Sequence, residues 1–433
     1  MLLEKTERQR IINLVRQQVV PAVGCTEPVC VALCVARAAE TLGTAPQQVD
    51  VYLSANILKN AMGVGIPGTG MVGLPIAVAL GALAGKSADG LEVLKHVTAS
   101  QVEDGKRFID ERRIKIGLKD GATDKLYVEA IVTAADGKHT ARAIIAGSHT
   151  HFVLVQRNAE VLVDECAHQA ADTHTEDCQL SLRKVYDFAT ESPIEELSFI
   201  LEARRLNESA SKQALKGCYG HELGKTLSRP LGRGIMGDSI FSHILSATSC
   251  ACDARMAGAM IPVMSNSGSG NQGICATMPV VVFAEENHNT EEELIRALML
   301  SHLTAIYIKQ SLGVLSALCG CVVASTGSSC GITWLMGGTY EQVTFAVKNM
   351  IANLTGMICD GAKPSCALKL TSGVSTAVLS AMLAMQQKCV SSVEGIIDDD
   401  VDQSIHNLTS IGAEAMNETD RKVLDIMTHK TCR

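Results

Sequence analysis

Residues 309–341 read KQSLGVLSALCGCVVASTGSSCGITWLMGGTYE, and no charged residue occurs between Lys309 and Glu341. The stretch is longer than a bilayer span requires. Its serines, threonines and glycines interrupt the hydrophobicity, so we interpret it as two buried helices with a turn near Gly327. Helical patterns dominate the chain from about Leu180 onward, and this stretch is expected to belong to a helical lobe.

The first 165 residues have a mixed pattern. Apolar residues at helical spacing predict a helix over residues 7–20, which Pro21 ends, and a second helix that extends to about Leu42. A polar segment, residues 164–177, connects this part to the helical remainder. Strands are predicted where the sequence is β-branched and partly alternating, at residues 49–58, 125–134 and 140–155.

Together these patterns predict an α+β fold that is predominantly helical. We expect a mixed α+β lobe of residues 1–165, whose small sheet packs on a mainly helical lobe of residues 180–433. The two lobes would form one unit spanning residues 1–433.

The composition limits the partners. The chain has 433 residues, of which 47% are hydrophobic, so it can bury a large core. Its formal net charge is −8 and it has no basic cluster, so we expect neither a nucleic acid nor a membrane as partner. The charged start, MLLEKTERQR, has no apolar segment typical of a signal peptide, which favours the cytoplasm. In that compartment the 16 cysteines stay reduced, and they are either small core residues or metal and redox ligands.

Two glycine-rich loops, at residues 68–73 and 268–273, resemble each other. With the overlapping match at 63–68 they give three G-x-G-x-x-G patterns, which favour ordinary turns over a dinucleotide fold, because Pro67 and Pro75 interrupt the first pair. The segment GHELGKT at 220–226 has three residues between its glycines where a P-loop needs four. Small consecutive residues let backbone N–H groups converge on an anion such as a carboxylate. A tight polar turn is the equally weighted alternative.

Cys25 lies between Pro21 and a predicted helix, with Thr26 as the expected N-cap. The positive end of a helix dipole favours a thiolate, so we expect a lowered pKa and consider Cys25 a candidate base or nucleophile. Cys30 and Cys34 are one turn apart on the same helix, and we interpret them as core residues.

Cys359 and Cys366 stand at the two ends of a turn-forming loop, CDGAKPSC, that could curve around a metal cluster. A third thiol would come from Cys319, Cys321 or Cys330. This spacing is not that of zinc ribbons or ferredoxins, so taken alone it favours ordinary buried cysteines.

Four motifs occur in an order that is more specific than any one of them: GCTEP at 24–28, PGTGM at 67–71, SNSGSGNQG at 265–273 and CDGAK at 359–363. With them the chain resembles the L-cysteine desulfidase family, which is related to the alpha chain of iron–sulfur L-serine dehydratases. The likeness extends from the first helix to about residue 425.

The resemblance implies an oxygen-sensitive [4Fe–4S] cluster held by Cys319, Cys359 and Cys366, with Cys25 as the catalytic residue. The reaction would be the α,β-elimination of L-cysteine to pyruvate, ammonia and sulfide. One iron without a protein ligand would bind the leaving sulfur as a Lewis acid. L-Serine dehydration on the same cluster is the alternative. We do not expect this chain to carry the additional beta domain of typical bacterial serine dehydratases, which favours cysteine without excluding serine.

The substrate, a small amino acid, is expected to bind at the two glycine loops and beside them. Lys59, His149 and Cys432 are weaker candidates, because their default interpretations are a solvated charge, a structural histidine and a thiol on a frayed end. We expect a homo-oligomer. The predicted substrate-binding residues are Asn60, Gly68, Thr69, Gly70, Asn266, Ser267, Gly268, Ser269 and Asn271.

Two other classes of protein remain as alternatives. A pyridoxal-phosphate lyase would use a glycine loop as a phosphate site and Lys363 or Lys369 as the Schiff-base former. A non-enzymatic protein would use the cluster only to sense oxygen.

Overall fold

A computed structural model describes residues 3–121, 124–165, 178–313 and 315–430. It confirms an α+β fold that is mostly helical, with a mixed six-stranded sheet in the N-terminal half. Most of the predicted connection at 164–177 lies outside the described residues.

The strands are β1 Pro21–Val23, β2 Gln48–Leu53, β3 Ile114–Leu118, β4 Tyr127–Thr133, β5 Thr140–Ala146, β6 Phe152–Arg157, β7 Glu160–Asp164 and β8 Pro262–Met264. The helices are α1 Lys5–Gln18, α2 Thr26–Leu42, α3 Ala55–Ala61, α4 Leu74–Leu83, α5 Ala99–Asp110, α6 Leu182–Glu191, α7 Ile194–Leu197, α8 Leu201–Lys216, α9 Leu223–Ser228, α10 Pro230–Met236, α11 Ile240–Met256, α12 Gly270–Glu286, α13 Glu291–Leu312, α14 Gly320–Leu335, α15 Tyr340–Leu354, α16 Cys366–Met385, α17 Val401–Ser410 and α18 Asn417–Thr428.

The large sheet has the strand order β3-β2-β4-β5-β6-β7, and only the β2–β3 pair is parallel. Helix α2 packs on one face of it, against β4, β5 and β6. Cys30 and Cys34 of α2 are fully buried there, which confirms their interpretation as core residues. The face of the sheet under α2 therefore forms the core of the N-terminal part of the chain.

Two of the predicted strand segments were too long. The first ends at Leu53, because the alternation of buried and exposed residues stops there and α3 begins at Ala55. The segment at 140–155 divides into β5 and β6, since Gly147 adopts a left-handed conformation with φ of 76° in the turn between them.

The uncharged stretch forms the buried centre of the helical part. Helix α14 contacts α12, α13, α15 and α16, so nearly every side of it faces protein and a charge would lose its hydration. The predicted turn near Gly327 is wrong, because the chain reverses between Leu312 and Gly320. Gly327 lies inside α14, where a Cβ would be 2.2 Å from the carbonyl oxygen of Ser301. The lack of a side chain at Gly327 allows α13 to pack closely against α14.

Among the described residues, α16 alone is long and apolar enough to cross a membrane by length and composition. Half of its most apolar window is buried inside the protein, and the core helix of a soluble protein passes the same test. The finding is weak evidence for a membrane span.

Candidate functional site

A cavity of about 110 Å³ brings residues from both halves of the chain together. Its walls include all four thiols that the resemblance implicated, Cys25, Cys319, Cys359 and Cys366.

A short antiparallel bridge places Cys319 beside Cys359. Leu318 pairs with Ile358, the N–H of Cys319 donates to the carbonyl of Met357 at 2.9 Å, and the N–H of Cys359 donates to the carbonyl of Ala317 at 2.7 Å. Each thiol directly follows a residue of the bridge. Two segments 40 residues apart are thereby held in register by their own backbones.

The loop from Cys359 to Cys366 is fixed by ion pairs. Asp360 accepts from Lys363 at 2.6 Å and pairs with Lys369 as well, and Lys369 also donates to the carbonyl of Ile358 at 2.6 Å. The N–H of Cys366 donates to the carbonyl of Lys363 at 2.8 Å. These contacts return the chain to the cavity at the first residue of α16.

Four helix N-termini meet at this cavity. Cys25 is the N-cap of α2, Ser269 of α12 and Cys319 of α14, while Cys366 is the first residue of α16. Helix N-termini present unpaired N–H groups and a partial positive charge, which stabilise thiolates and other anions. The cavity is therefore suited to hold negative charge.

The thiols differ in acidity. A hydrogen bond from the Cys321 thiol, 3.2 Å away, lowers the pKa of Cys319. Burial raises the pKa of Cys359 and raises that of Cys366 to about 11. Each of the three thiols interacts electrostatically with the others, so a cation shared among them would favour all three thiolates.

These residues fit an iron–sulfur cluster. Three thiols around one cavity could serve as ligands of a [4Fe–4S] cube, which would then have one corner without a protein ligand. Within the part of the chain that the structure describes, no three His, Cys, Asp or Glu side chains lie close enough for a single metal ion. A cube would separate its thiolates by the width of its own core.

Cys25 lies at the N-terminus of α2, but its pKa is not lowered as the sequence predicted. Burial, and next the charge of Glu27, raise the pKa of the Cys25 thiol well above its usual value. The thiol donates a hydrogen bond to Oε2 of Glu27 at 2.9 Å. The helix dipole is thus outweighed by desolvation and by a neighbouring carboxylate. Thr26 is also not the N-cap, because it is the first residue of α2, and its hydroxyl donates to the carbonyl of Gly268 at 3.0 Å.

Glu27 is held at both oxygens. Besides Cys25 on Oε2, the amide of Asn60 donates to Oε1 at 3.1 Å. Burial opposes the charge of Glu27, but the charge of His149 and the hydrogen bond from Cys25 outweigh it, so the pKa of Glu27 is lowered. Glu27 is accordingly a carboxylate next to a neutral thiol.

The SNSGSGNQG motif at 265–273 contributes Ser267, Gly268, Ser269, Asn271 and Gln272 to the cavity wall. Asn266 does not line the cavity; its amide donates to Nδ1 and to the carbonyl of buried His302, both at 3.1 Å. The side-chain oxygen Oδ1 of Asn266 accepts a hydrogen bond from the Ser267 hydroxyl at 2.8 Å. Asn266 therefore orders the loop from behind.

Several other predicted residues are placed differently. Gly68, Thr69 and Gly70 are not part of the cavity wall, and the Thr69 hydroxyl closes its own turn onto the carbonyl of Ile66 at 2.8 Å. Lys59 is not a solvated charge, because its side chain is 1% exposed and pairs with Asp420 of α18. Cys432 lies outside the described residues.

His149 faces the cavity, as does Asn60. Burial lowers the pKa of His149, and its buried Nε2 atom has no hydrogen-bond partner among the described residues. Within that same part of the chain, three further cavity residues carry buried polar atoms without a partner: Asn60 Oδ1, Arg255 Nε and Gln272 Oε1. A buried polar atom costs free energy when unpaired, so this cluster indicates a polar ligand.

Sequence reasoning missed three charged residues of the cavity wall, Glu27, Arg255 and Lys309. Glu27 is part of the GCTEP motif, and Arg255 is a charge among small residues in the segment SATSCACDARMAGAM. Lys309 borders the uncharged stretch, and burial lowers its pKa to about 8. A charge at the edge of an apolar or small-residue segment was the signal in each of the last two cases.

Comparison with known proteins identifies the family of the chain. Residues 88–425 match the family described as "Serine dehydratase alpha chain". The chain therefore belongs to the serine dehydratase alpha chain family, whose iron–sulfur enzymes eliminate a group from an amino acid. That membership indicates a lyase.

Full-length relatives carry a less informative name. A UPF0597 protein of Bacteroides thetaiotaomicron is 70% identical over 428 residues, covering 98% of this chain and 99% of the relative. One of Phocaeicola vulgatus is 67% identical over 432 residues, covering 100% of each. One of Shewanella halifaxensis is 46% identical over 433 residues, covering 97% of this chain and 98% of the relative.

Proposed function

We propose that this chain is an iron–sulfur-dependent lyase that converts L-cysteine to pyruvate, ammonia and sulfide. The observation that carries the proposal is the shared cavity, in which three thiols lie with Cys25, Glu27 and several unpaired polar atoms. Dehydration of L-serine is the second candidate, favoured by the family to which residues 88–425 belong.

Cys319, Cys359 and Cys366 would hold the cluster, supported by the bridge and by the ion pairs of Asp360. When bound, a [4Fe–4S] cluster with one iron free of protein ligands supplies a Lewis acid for the leaving group of the substrate. The chain itself supplies the proton transfers and the binding groups.

The Cys25–Glu27 pair is suited to remove the proton from Cα. Transfer of the thiol proton to Glu27 across the existing 2.9 Å hydrogen bond is uphill, because the pKa of Cys25 is raised and that of Glu27 is lowered, but the thiolate so formed is a strong base that takes the Cα proton. The electron pair of the Cα–H bond forms the Cα=Cβ double bond while the bond from Cβ to sulfur breaks. The 2-aminoacrylate product tautomerises to an imine, which water hydrolyses to pyruvate and ammonia.

Asn60 and Gln272 supply acceptors for the substrate ammonium. Asn60 Oδ1 and Gln272 Oε1 are both buried and unpaired, and an ammonium group has three donors. Asn60 is fixed by its contact with Glu27, so the group that orients the amine also contacts the proton acceptor. Such positioning would direct Cα toward Cys25.

The pyridoxal-phosphate alternative has less support. Lys363 and Lys369 both pair with Asp360 and donate to carbonyls of the same loop. Neither amine is available for a Schiff base without breaking the loop that carries Cys359 and Cys366.

The test is anaerobic reconstitution of the full chain with iron and sulfide, followed by side-by-side assays of pyruvate from L-cysteine and L-serine. We expect turnover of L-cysteine that air abolishes, and its loss in Cys25→Ala with the iron content retained. Cys330→Ala, a buried thiol of α14 outside the cavity wall, is the matched control. Turnover that is unaffected by air, with a lysine adduct trapped by borohydride, would support a pyridoxal-phosphate enzyme. Retained turnover in Cys25→Ala would remove Cys25 from the mechanism. A cluster without any turnover would indicate a sensor.

A further inference from the structure

Arg255 is a buried cation without a carboxylate partner. The residue is 3% exposed and its side chain lines the cavity. Its Nη1 donates to Oδ1 of Asn271 at 3.0 Å, while its Nε is buried with no partner. In the described ranges it forms no ion pair with any Asp or Glu. A buried guanidinium with unused donors is costly unless an anion completes its hydrogen bonds.

The position of the guanidinium is fixed by α12. A Cβ at Gly270 would lie 2.2 Å from Nε of Arg255 and 2.9 Å from its Cζ, so the helix backbone packs directly on the guanidinium. Asn271, the next residue, accepts from Nη1, and its own amide contacts the sulfur of Met256 at 3.4 Å. The N-terminal turn of α12 thus holds Arg255 in one orientation.

Glu27 is not the carboxylate partner of Arg255. It is close enough for its pKa to respond to the charge of Arg255, but its oxygens are engaged by Cys25, Thr26 and Asn60. Arg255 and the N-terminus of α12 therefore present positive charge to the same cavity, and among the described residues no carboxylate pairs directly with the guanidinium.

We propose that Arg255 binds the α-carboxylate of the substrate, together with the Ser267–Gly268–Ser269 segment, and restricts the cavity to amino acids with a free carboxylate. The inference rests on the proposed amino-acid site. With acceptors at Asn60 and Gln272 for the ammonium and a fixed guanidinium for the carboxylate, the two charged ends of a zwitterion have separate partners.

The first test measures binding without turnover. L-Alanine has no leaving group, so the reconstituted full chain cannot consume it, and calorimetry can compare it with L-alaninamide. We expect L-alaninamide to bind wild type about tenfold to about a hundredfold more weakly than L-alanine, the range for a lost charge-assisted hydrogen bond. Equal binding of the two would overturn the proposal.

Variants test whether Arg255 is the residue that binds the carboxylate. Arg255→Gln should bind L-alanine more weakly by a similar factor and L-alaninamide unchanged, and Arg255→Lys should fall between. Gly270→Ala keeps every charge but places a methyl group against Nε, so it should reproduce the loss. Arg205→Gln, an exposed arginine paired with Glu202, is the matched control and should bind like wild type.

Inhibition separates this role from a general loss of structure. Against L-cysteine turnover, 3-mercaptopropionate has the carboxylate but no amine, and cysteamine has the amine but no carboxylate. Arg255→Gln should weaken inhibition by 3-mercaptopropionate about tenfold or more and leave cysteamine unchanged. Equal weakening of both inhibitors would show that Arg255 only supports the fold. If L-cysteine is not turned over at all, the proposed function fails, whereas the L-alanine comparison still decides the role of Arg255.

Discussion

Gly361 lies against the backbone of Lys59, so closely that a Cβ on the glycine would be 2.3 Å from the lysine carbonyl oxygen. The glycine also has φ of 89°, a left-handed conformation that side chains disfavour. The loop that carries two of the cavity thiols is therefore seated directly on α3.

Gly361→Ala should separate that loop from α3. We expect a loss of about 2 kcal/mol or more in the free energy of unfolding, from strain and from the clash, together with a lower iron content. Gly356→Ala is the control, because Gly356 has no neighbouring atom within 4 Å of an added Cβ and no left-handed φ. Denaturant unfolding and iron analysis would check both, and equal effects of the two changes would contradict this account.

Glu27→Gln keeps the shape of the side chain but removes the carboxylate that accepts from Cys25. Turnover should fall about a hundredfold or more, the usual contribution of a proton-transfer group, with the iron content unchanged. Glu103→Gln, at an exposed glutamate paired with Lys106, should have no effect. Pyruvate formation is the measurement. Undiminished turnover would mean that the Cys25 proton leaves by another route.

The cysteines of the cavity should separate into ligands and neighbours. Cys319→Ala, Cys359→Ala and Cys366→Ala should each lose iron, since a cube held by two thiolates is weakly bound. Cys321→Ala should retain it, because that thiol donates to Cys319 and contacts Met357 at 3.2 Å. Iron and acid-labile sulfide analyses decide the matter. If Cys321→Ala lost iron and Cys319→Ala retained it, Cys321 would be the ligand and Cys319 its neighbour.

Asp420→Ala should leave the buried ammonium of Lys59, whose side chain is 1% exposed, without its carboxylate partner. Removing one partner of a buried ion pair costs about 3–5 kcal/mol, here reduced because Asp420 is partly exposed. We expect at least about 2 kcal/mol by urea unfolding. Asp425→Ala breaks an exposed pair with Lys422 and should change the stability by less than about 1 kcal/mol. If the two variants unfold alike, α18 is not anchored through Lys59.

His302 should make the stability dependent on pH. Burial lowers its pKa to about 3, and it sits in a closed network with Asn266 and Thr277. The unfolded chain binds a proton below about pH 6.5 and the folded chain does not, so stability is complete above that pH and decreases as the pH falls toward about 3. Between about pH 7 and about pH 5 this amounts to about 2 kcal/mol of unfolding free energy. His302→Gln should lack that part of the slope, and an unchanged slope would show that His302 does not contribute it.

The sequence was sufficient for the fold class, and the reasons are local. Periodicity predicted α1, α2 and the main strands, because those segments bury one face. It failed at Gly327, where a glycine serves a helix–helix contact and not a turn. Glycine has both uses, and only the neighbouring helix distinguishes them.

The cavity was harder to predict, since it is made by contacts between distant segments. The acidity of Cys25 depends on burial and on Glu27, and neither effect is visible from the helix position alone. Arg255 is brought to the site by the packing of α11 against α12. The Gly68–Gly70 loop carries a strong motif but does not line the cavity, because its threonine bonds to its own turn.

The burial of α14 has a consequence for how the proposed cluster would be assembled. Because four helices surround α14, the position of its N-cap residue, Cys319, would be set when the chain folds and not when iron arrives. Only the short loop before Cys366 would then need to reorganise when the cluster binds. A flexible set of ligands would instead have to be ordered, at a cost in free energy, each time a cluster binds.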